Sequence, residues 1–289
     1  MYDWANSVYS LVISTAIFPL FYIYETKKVY SDKIGKDIED ISDNDVTVSF
    51  FGFEVSQSVL YTLILAVSFL VISLISPILS GIADYTGNKK RFLQFFCYLG
   101  SLSCMSLFFF DAYHMELSMI PFLMASIGFW CSLVFYNAFL PEIASAENQD
   151  DISARGFIMG YIGSVILLII CIILTQGEDI LGIQNLNSSL TKYCFIIVGV
   201  WWIGFAQVTY RVLPKNPFKK KPEADYIWKG YRELKKVYKE FMQTTRLKKY
   251  LYAFFFFNSG VQTVMLLATI FASKAVTWPE GEETSGLII

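Results

Sequence analysis

Between Gln57 and Phe110 the apolar and polar positions alternate on the length scale of a membrane rather than of a helix face. An uncharged run from Gln57 meets SGIADYTGNKKR, where Asp84 and Gly87 precede Lys89, Lys90 and Arg91, and a second apolar run, residues 92–110, follows at once. About 20 apolar residues in a helix cross a hydrocarbon core of ~30 Å. The pattern therefore predicts two membrane-spanning helices, spans 2 and 3, joined by a tight basic turn. Comparable runs at residues 4–24, 117–140, 152–175, 191–213 and 249–273 predict spans 1, 4, 5, 6 and 7.

The basic residues give an orientation. With the span 2–3 turn inside, segments 84–91, 141–155 and 211–249 share the cytoplasmic side with the N-terminus and hold 17 of the 23 Lys and Arg, leaving 6 outside. That is the asymmetry of the positive-inside rule. Segment 211–249 contains PKNPFKKKP, and then Ile227, Tyr231, Leu234, Tyr238 and Phe241 at spacings of four and three with lysines between them. This describes a basic amphipathic helix suited to an anionic leaflet. Residues 25–54 are polar with mixed charge and predict an outward loop or short hairpin. Glu142, Glu147, Asp150 and Asp151 predict an acidic cytoplasmic loop.

Several spans carry more than apolar residues. In span 1, Asp3, Ser7, Ser10 and Ser14 recur at helical spacing with Asn6 beside them, so one stripe takes hydrogen-bonding groups into the bilayer. Such a stripe either joins neighbouring helices or lines a water-filled cavity. Gly156, Gly160 and Gly163 in span 5 are spaced to let another helix backbone approach. Asn137 precedes Pro141 and Glu142 at the exit of span 4, where the proline is a helix stop. Span 7 echoes span 1, with Asn258 and Ser259 followed by Gln262 and Thr263. Six spans and a linker separate the two, the interval that a duplicated six-helix unit gives.

Composition narrows the class. Of the 289 residues 55% are hydrophobic and 17% charged, and 26 are Phe, which excludes an ordinary soluble domain and identifies a multi-pass membrane protein. The cysteines, Cys97, Cys104, Cys131, Cys171 and Cys194, lie in apolar runs without a CxxC pair and read as packing residues. The single histidine, His114, sits in the turn between spans 3 and 4 and reads as a solvated turn residue. The start of the chain lacks a basic region and cleavage site and reads as a span, not a signal peptide. Residues 286–289 read as the beginning of an eighth span.

The segment YDWANSVYS at residues 2–10, Phe18 and Pro19, YNAFLPEI at Tyr136 to Ile143 and GYIGS at Gly160 to Ser164 resemble the major facilitator superfamily. Within it they are similar to the vacuole effluxer family of autophagy-related amino-acid exporters and its bacterial relatives. GIADYTGNKKR is similar to the superfamily's signature turn at Asp84, Gly87 and Lys89 or Lys90, and departs from it at Ser80 and Tyr85. The resemblance extends over essentially the whole chain. It implies twelve spans in two six-helix bundles that work by alternating access, and neutral amino acids as cargo.

The expected architecture is an all-α membrane protein with an N-terminal six-helix bundle at 1–213, a basic amphipathic linker at 214–248 and the start of a second bundle at 249–289. The expected function is secondary transport of a small polar solute, with neutral amino acids the candidate cargo. Asp3, Asn6, Ser10, Asn137, Asn258 and Gln262 would line the cavity, and Asp84, Gly87, Lys89, Glu142 and Arg155 would act at the cytoplasmic gate. The partners are the solute, the bilayer and a candidate coupling ion; no cofactor, metal, catalytic residue or nucleic acid is expected. A bacterial cytoplasmic membrane is preferred over a vacuolar one. The competing class is a seven-helix receptor or signalling protein, against which stand the inside N-terminus and the lack of a mid-membrane lysine in span 7.

Overall fold

The structure, a computed structural model, describes residues 1–175, 189–214 and 242–275 together with Lys235 and Lys239. The predicted amphipathic helix around Tyr231, the loop at 176–188 and residues 286–289 lie outside the described residues. Among the described residues, seven helices are long and apolar enough to cross a membrane: Tyr2–Ile34, Gln57–Ala83, Lys89–Phe109, Met115–Ile143, Gln149–Thr175, Leu190–Val212 and Thr245–Ala268. They are spans 1 to 7, and the chain is a multi-pass, almost wholly helical membrane protein. Helices prevail because lipid offers backbone groups no partner.

Span 1 is three segments in one rod: α-helix at Tyr2–Val8, π-helix at Tyr9–Ile17 and α-helix at Phe18–Ile34. Proline explains where the wide turns end. The Phe18 N–H donates to the Ile13 carbonyl, five residues back, and the next donor in that ladder would come from Pro19, which has none. The orphaned Ser14 carbonyl instead accepts the Tyr61 hydroxyl of span 2 at 3.2 Å. The Thr15 hydroxyl donates to the Ser10 carbonyl at 3.0 Å.

Span 1 continues as helix to Ile34 and is closed by Gly35 at φ 69°, so the polar stretch from Glu25 is helical for its first part and not loop throughout. Beyond it, β1 (Thr47–Phe50) and β2 (Phe53–Ser56) pair antiparallel, with Val48 opposite Val55 and Phe50 opposite Phe53. The first half of the outer segment is thus corrected to helix, and its second half is the short hairpin. The acidic loop is corrected too: Asp150 and Asp151 occupy the first turn of the helix Gln149–Thr175, where carboxylates oppose the positive end of the helix dipole.

At the other end of the bundle the helix Gln57–Thr86 stops at Gly87, φ 66°, a left-handed backbone that glycine adopts without a Cβ penalty. The helix Lys89–Ser106 starts two residues later. Span 1 packs on spans 5 and 6, span 2 on span 4, and span 3 on spans 4 and 6, while span 7 meets span 1 along the π-helical stretch. Gly100 of span 3 and Gly128 of span 4 put their backbones in direct contact, and the Trp202 ring of span 6 closes over Gly100. Aromatic rings fill the hairpin-end half of the core, with Phe18 stacked on Phe122 at 4.5 Å and edge-on to Phe110 and Phe195.

Candidate functional site

Near the basic end, spans 1, 4 and 5 converge on one carboxylate. Asp3 is only 8% exposed, and the Tyr136 hydroxyl of span 4 donates to its Oδ2 at 2.6 Å. Gly156 of span 5 faces the same oxygen so closely that a Cβ there would stand 2.5 Å from it. One turn on, a Cβ at Gly160 would lie 2.5 Å from Ser7 Oγ and 3.2 Å from the Asp3 carbonyl, and one at Gly163 would meet the Trp4 ring at 3.0 Å. The glycine stripe of span 5 is therefore the floor on which the polar stripe of span 1 rests. Span 6 holds the other side of Trp4: Trp201 stacks on it at 5.7 Å and donates its Nε1–H to the Trp4 carbonyl at 3.1 Å.

Asn6 is the group these contacts leave unused. It is 1% exposed, and neither its amide nitrogen nor its amide oxygen has a hydrogen-bond partner. The hydroxyls of Tyr2, Tyr9 and Tyr210 and the Trp202 Nε1–H are buried as well. Their rings pack together, Tyr2 on Tyr136 at 4.9 Å and Tyr9 on Trp202 at 5.7 Å, so polar tips are set in aromatic walls. A buried amide left without partners costs ~1–3 kcal/mol, and native interiors keep few such groups. An unpaired donor and acceptor one turn from a carboxylate can together bind a small solute that carries both charge and hydrogen-bonding groups.

The other sequence-derived positions are placed as follows. Ser10 is half-buried within the π-helix, its carbonyl taken by Thr15. Asn137 ends the helix of span 4 and is exposed, while its neighbour Tyr136 turns inward to Asp3. Asn258 and Gln262 are half-buried on span 7, in a four-residue repeat with the buried Leu266 and Ile270. Among the described residues no hydrogen bond joins them to Asp3 or Asn6. Tyr136 and the tryptophans are site residues that the polar pattern of the spans does not reveal; Tyr136 lies in the YNAFLPEI segment, and its hydroxyl is the one local signal.

At the basic end proper, Lys89 pairs with Glu142 at 3.0 Å, tying the span 2–3 turn to the short helix Leu140–Ile143 that follows span 4. Lys90 of the same turn donates to the Leu213 carbonyl just beyond span 6 at 3.0 Å, a cation at the negative end of a helix. Arg155 pairs with Asp151 on its own helix at 2.8 Å, both exposed. Asp84 lies on the last turn of its helix, with its side chain outside the described residues.

The sequence model of the family described as "Vacuole effluxer Atg22 like" matches residues 1–289. The chain belongs to this family. It is similar to the uncharacterised MFS-type transporter YxiO of Bacillus subtilis, 33% identical over 277 residues, which covers 94% of this chain and 59% of that protein. It is also similar to the autophagy-related protein 22-2 of Neosartorya fischeri, 25% identical over 313 residues, covering 81% of this chain and 50% of that protein. Autophagy-related protein 22-1 of Aspergillus terreus is 24% identical over a similar length. The chain thus spans between half and three fifths of the length of these Atg22-like relatives. No solved structure matches it significantly. The family description and the name of the Bacillus relative both point to a membrane transporter of the major facilitator type, and none of these names points to a receptor.

Proposed function

We propose that this Atg22-like chain forms the six-helix half and the following span of a secondary active transporter that works by alternating access and carries a small polar solute. The observation that supports this reading most is the Asn6 amide, closed from solvent with donor and acceptor unpaired, one turn from the Asp3 carboxylate. An unbranched or small neutral amino acid fits that chemistry: its ammonium suits Asp3 once Tyr136 lets go, and its carboxylate suits the Asn6 N–H. Ser10, Asn137, Asn258 and Gln262 complete the proposed cavity from spans 1, 4 and 7. A coupling cation would use the same Asp3 carboxylate.

Lys89, Glu142, Gly87, Asp84 and Arg155 form the proposed gate, in which the Lys89–Glu142 pair makes and breaks as the bundle rocks. Residues 1–213, 214–248 and 249–289 are the proposed bundle, linker and start of the second bundle. A bacterial cytoplasmic membrane is the proposed location, favoured by the higher identity to the Bacillus relative than to the fungal ones. Uptake of labelled neutral amino acids by proteoliposomes of the full-length protein tests the reading: accumulation above protein-free vesicles supports it, and none across the neutral set overturns the cargo assignment.

A further inference from the structure

The hairpin between spans 1 and 2 has two unlike faces. Strand pairing puts Val48, Phe50, Phe53 and Val55 on one face and Thr47, Ser49, Glu54 and Ser56 on the other. The apolar face starts in the core, where Val48 is buried, and runs outward to a tip at which Phe51 and Phe53 are each 72% exposed. The tip is a two-residue turn with Phe51 at φ 50° and Gly52 at φ 81°. Both positions of such a turn ask for left-handed backbone, which Asn-Gly adopts readily and a phenylalanine does not. A large apolar ring is therefore held at a position that disfavours it, fully out of the core.

The depth of this tip is fixed by a contact. The Phe51 N–H donates to Glu116 Oε1 at 2.8 Å, and Glu116 is in the first turn of span 4, next to the exposed Leu117 and one turn before the exposed Ile120. Those residues open the apolar run of span 4. Phe109 and Tyr113, at the neighbouring span 3–4 turn, are exposed at the same end. On the polar face, Glu54 pairs with Lys33 at 2.8 Å, so the hairpin's own carboxylate lies on the face opposite Phe53.

We propose that this hairpin is an interfacial anchor, with Phe51 and Phe53 seated at the headgroup–acyl boundary of the leaflet opposite the basic end. Aromatic rings favour that level of a bilayer, and the rings are continuous with the lipid-facing surface of span 4. Two rings on a four-residue ribbon offer far less area than the ~800 Å² per partner of a stable protein interface. The anchor holds the junction of spans 1 and 2 at a set depth while the rest of span 1 packs on spans 5 and 6.

The test uses the full-length protein in lipid nanodiscs, carrying an environment-sensitive NBD label at Phe53→Cys, at Phe51→Cys or, as the opposite-face control, at Ser49→Cys; the native cysteines are buried. The labels at 53 and 51 are expected to emit to the blue of the label at 49. Lipids bearing a nitroxide near the top of the acyl chain are expected to quench them several-fold more strongly, and aqueous iodide several-fold less. Equal iodide access at 49, 51 and 53 would overturn the anchor. Shielding at 51 and 53 without nitroxide-lipid quenching would overturn it too, and would seat the tip on protein, either another copy or the remainder of the chain.

Discussion

The Tyr61 hydroxyl donates to the Ser14 carbonyl at 3.2 Å, in the place of the backbone N–H that Pro19 lacks. The π-helical middle of span 1 is thereby completed by span 2, a contact between helices rather than a property of span 1 alone. π-Helical turns are rare and concentrate at functional sites, and this one begins three residues beyond Asn6. Tyr61→Phe keeps the ring and leaves the carbonyl unpaired, at a cost on the order of 1 kcal/mol. A thermal-unfolding midpoint lower by a few degrees in detergent is the expected result; an unchanged midpoint would mean that the carbonyl finds another donor.

The close seat of Gly156 on Asp3 makes a methyl group at this position informative. In Gly156→Ala the new Cβ would stand 2.5 Å from Asp3 Oδ2, so the carboxylate must leave Tyr136 or the helices must part. Gly160→Val adds bulk against Ser7 and the Asp3 backbone, and overpacking of this kind costs about 1–3 kcal/mol. The expected pattern is a transport defect with little loss of stability in Gly156→Ala, and a clear drop of the unfolding midpoint in Gly160→Val. Wild-type behaviour of both would contradict the packing described for spans 1 and 5.

Lys89 and Glu142 are partly exposed, so their pair adds less than ~1 kcal/mol to stability. Its expected weight is in the balance between transporter conformations. Lys89→Glu and Glu142→Lys each put like charges in place of the native 3.0 Å pair and are expected to slow transport. The double exchange is expected to recover most of it, read as a coupling energy in a double-mutant cycle. Additive losses would remove the pair from the gate.

In the turn between spans 3 and 4, the His114 ring and the Tyr113 N–H hold the Asp111 carboxyl below its ordinary range. A carboxyl lowered in the folded state adds stability above its ordinary pKa of ~3.9, and that stability is lost as pH falls below this value through the lowered folded one. Hydrogen exchange of the 111–115 amides, corrected for the intrinsic pH effect, is expected to show protection at pH 7 that fades below about pH 4. Asp111→Asn is expected to remove that dependence.

The spans were legible because lipid demands long apolar runs, and the basic turn at Gly87 was legible because a glycine and three cations interrupt two such runs. The helix ends were not. Hydropathy reports where the membrane stops, whereas span 1 continues as helix to Ile34 in polar surroundings and span 5 begins at Gln149 with Asp150 and Asp151 in its first turn. Pro19 is visible in the sequence, but the donor that meets the Ser14 carbonyl is Tyr61, 47 residues away. At the candidate site, the stripe Asp3 to Ser14 marked span 1 as unusual without saying what each group meets. That Asp3 is taken by Tyr136, that Ser7 rests on Gly160 and that the Asn6 amide stays unpaired are facts of helix rotation and packing, which a single sequence does not encode locally.

The central claim is that the Asn6 amide belongs to the solute site. The most direct measurement is initial uptake of the labelled amino acid by proteoliposomes of full-length wild type, Asn6→Ala and Asn258→Ala at matched reconstitution, with unfolding midpoints recorded for each. The account predicts at least a tenfold loss for Asn6→Ala, the equivalent of ~1.4 kcal/mol or more, with a midpoint equal to or above wild type because an unpaired buried amide has been removed. Undiminished transport in Asn6→Ala would contradict it, and the same result in Asn258→Ala would remove span 7 from the proposed cavity.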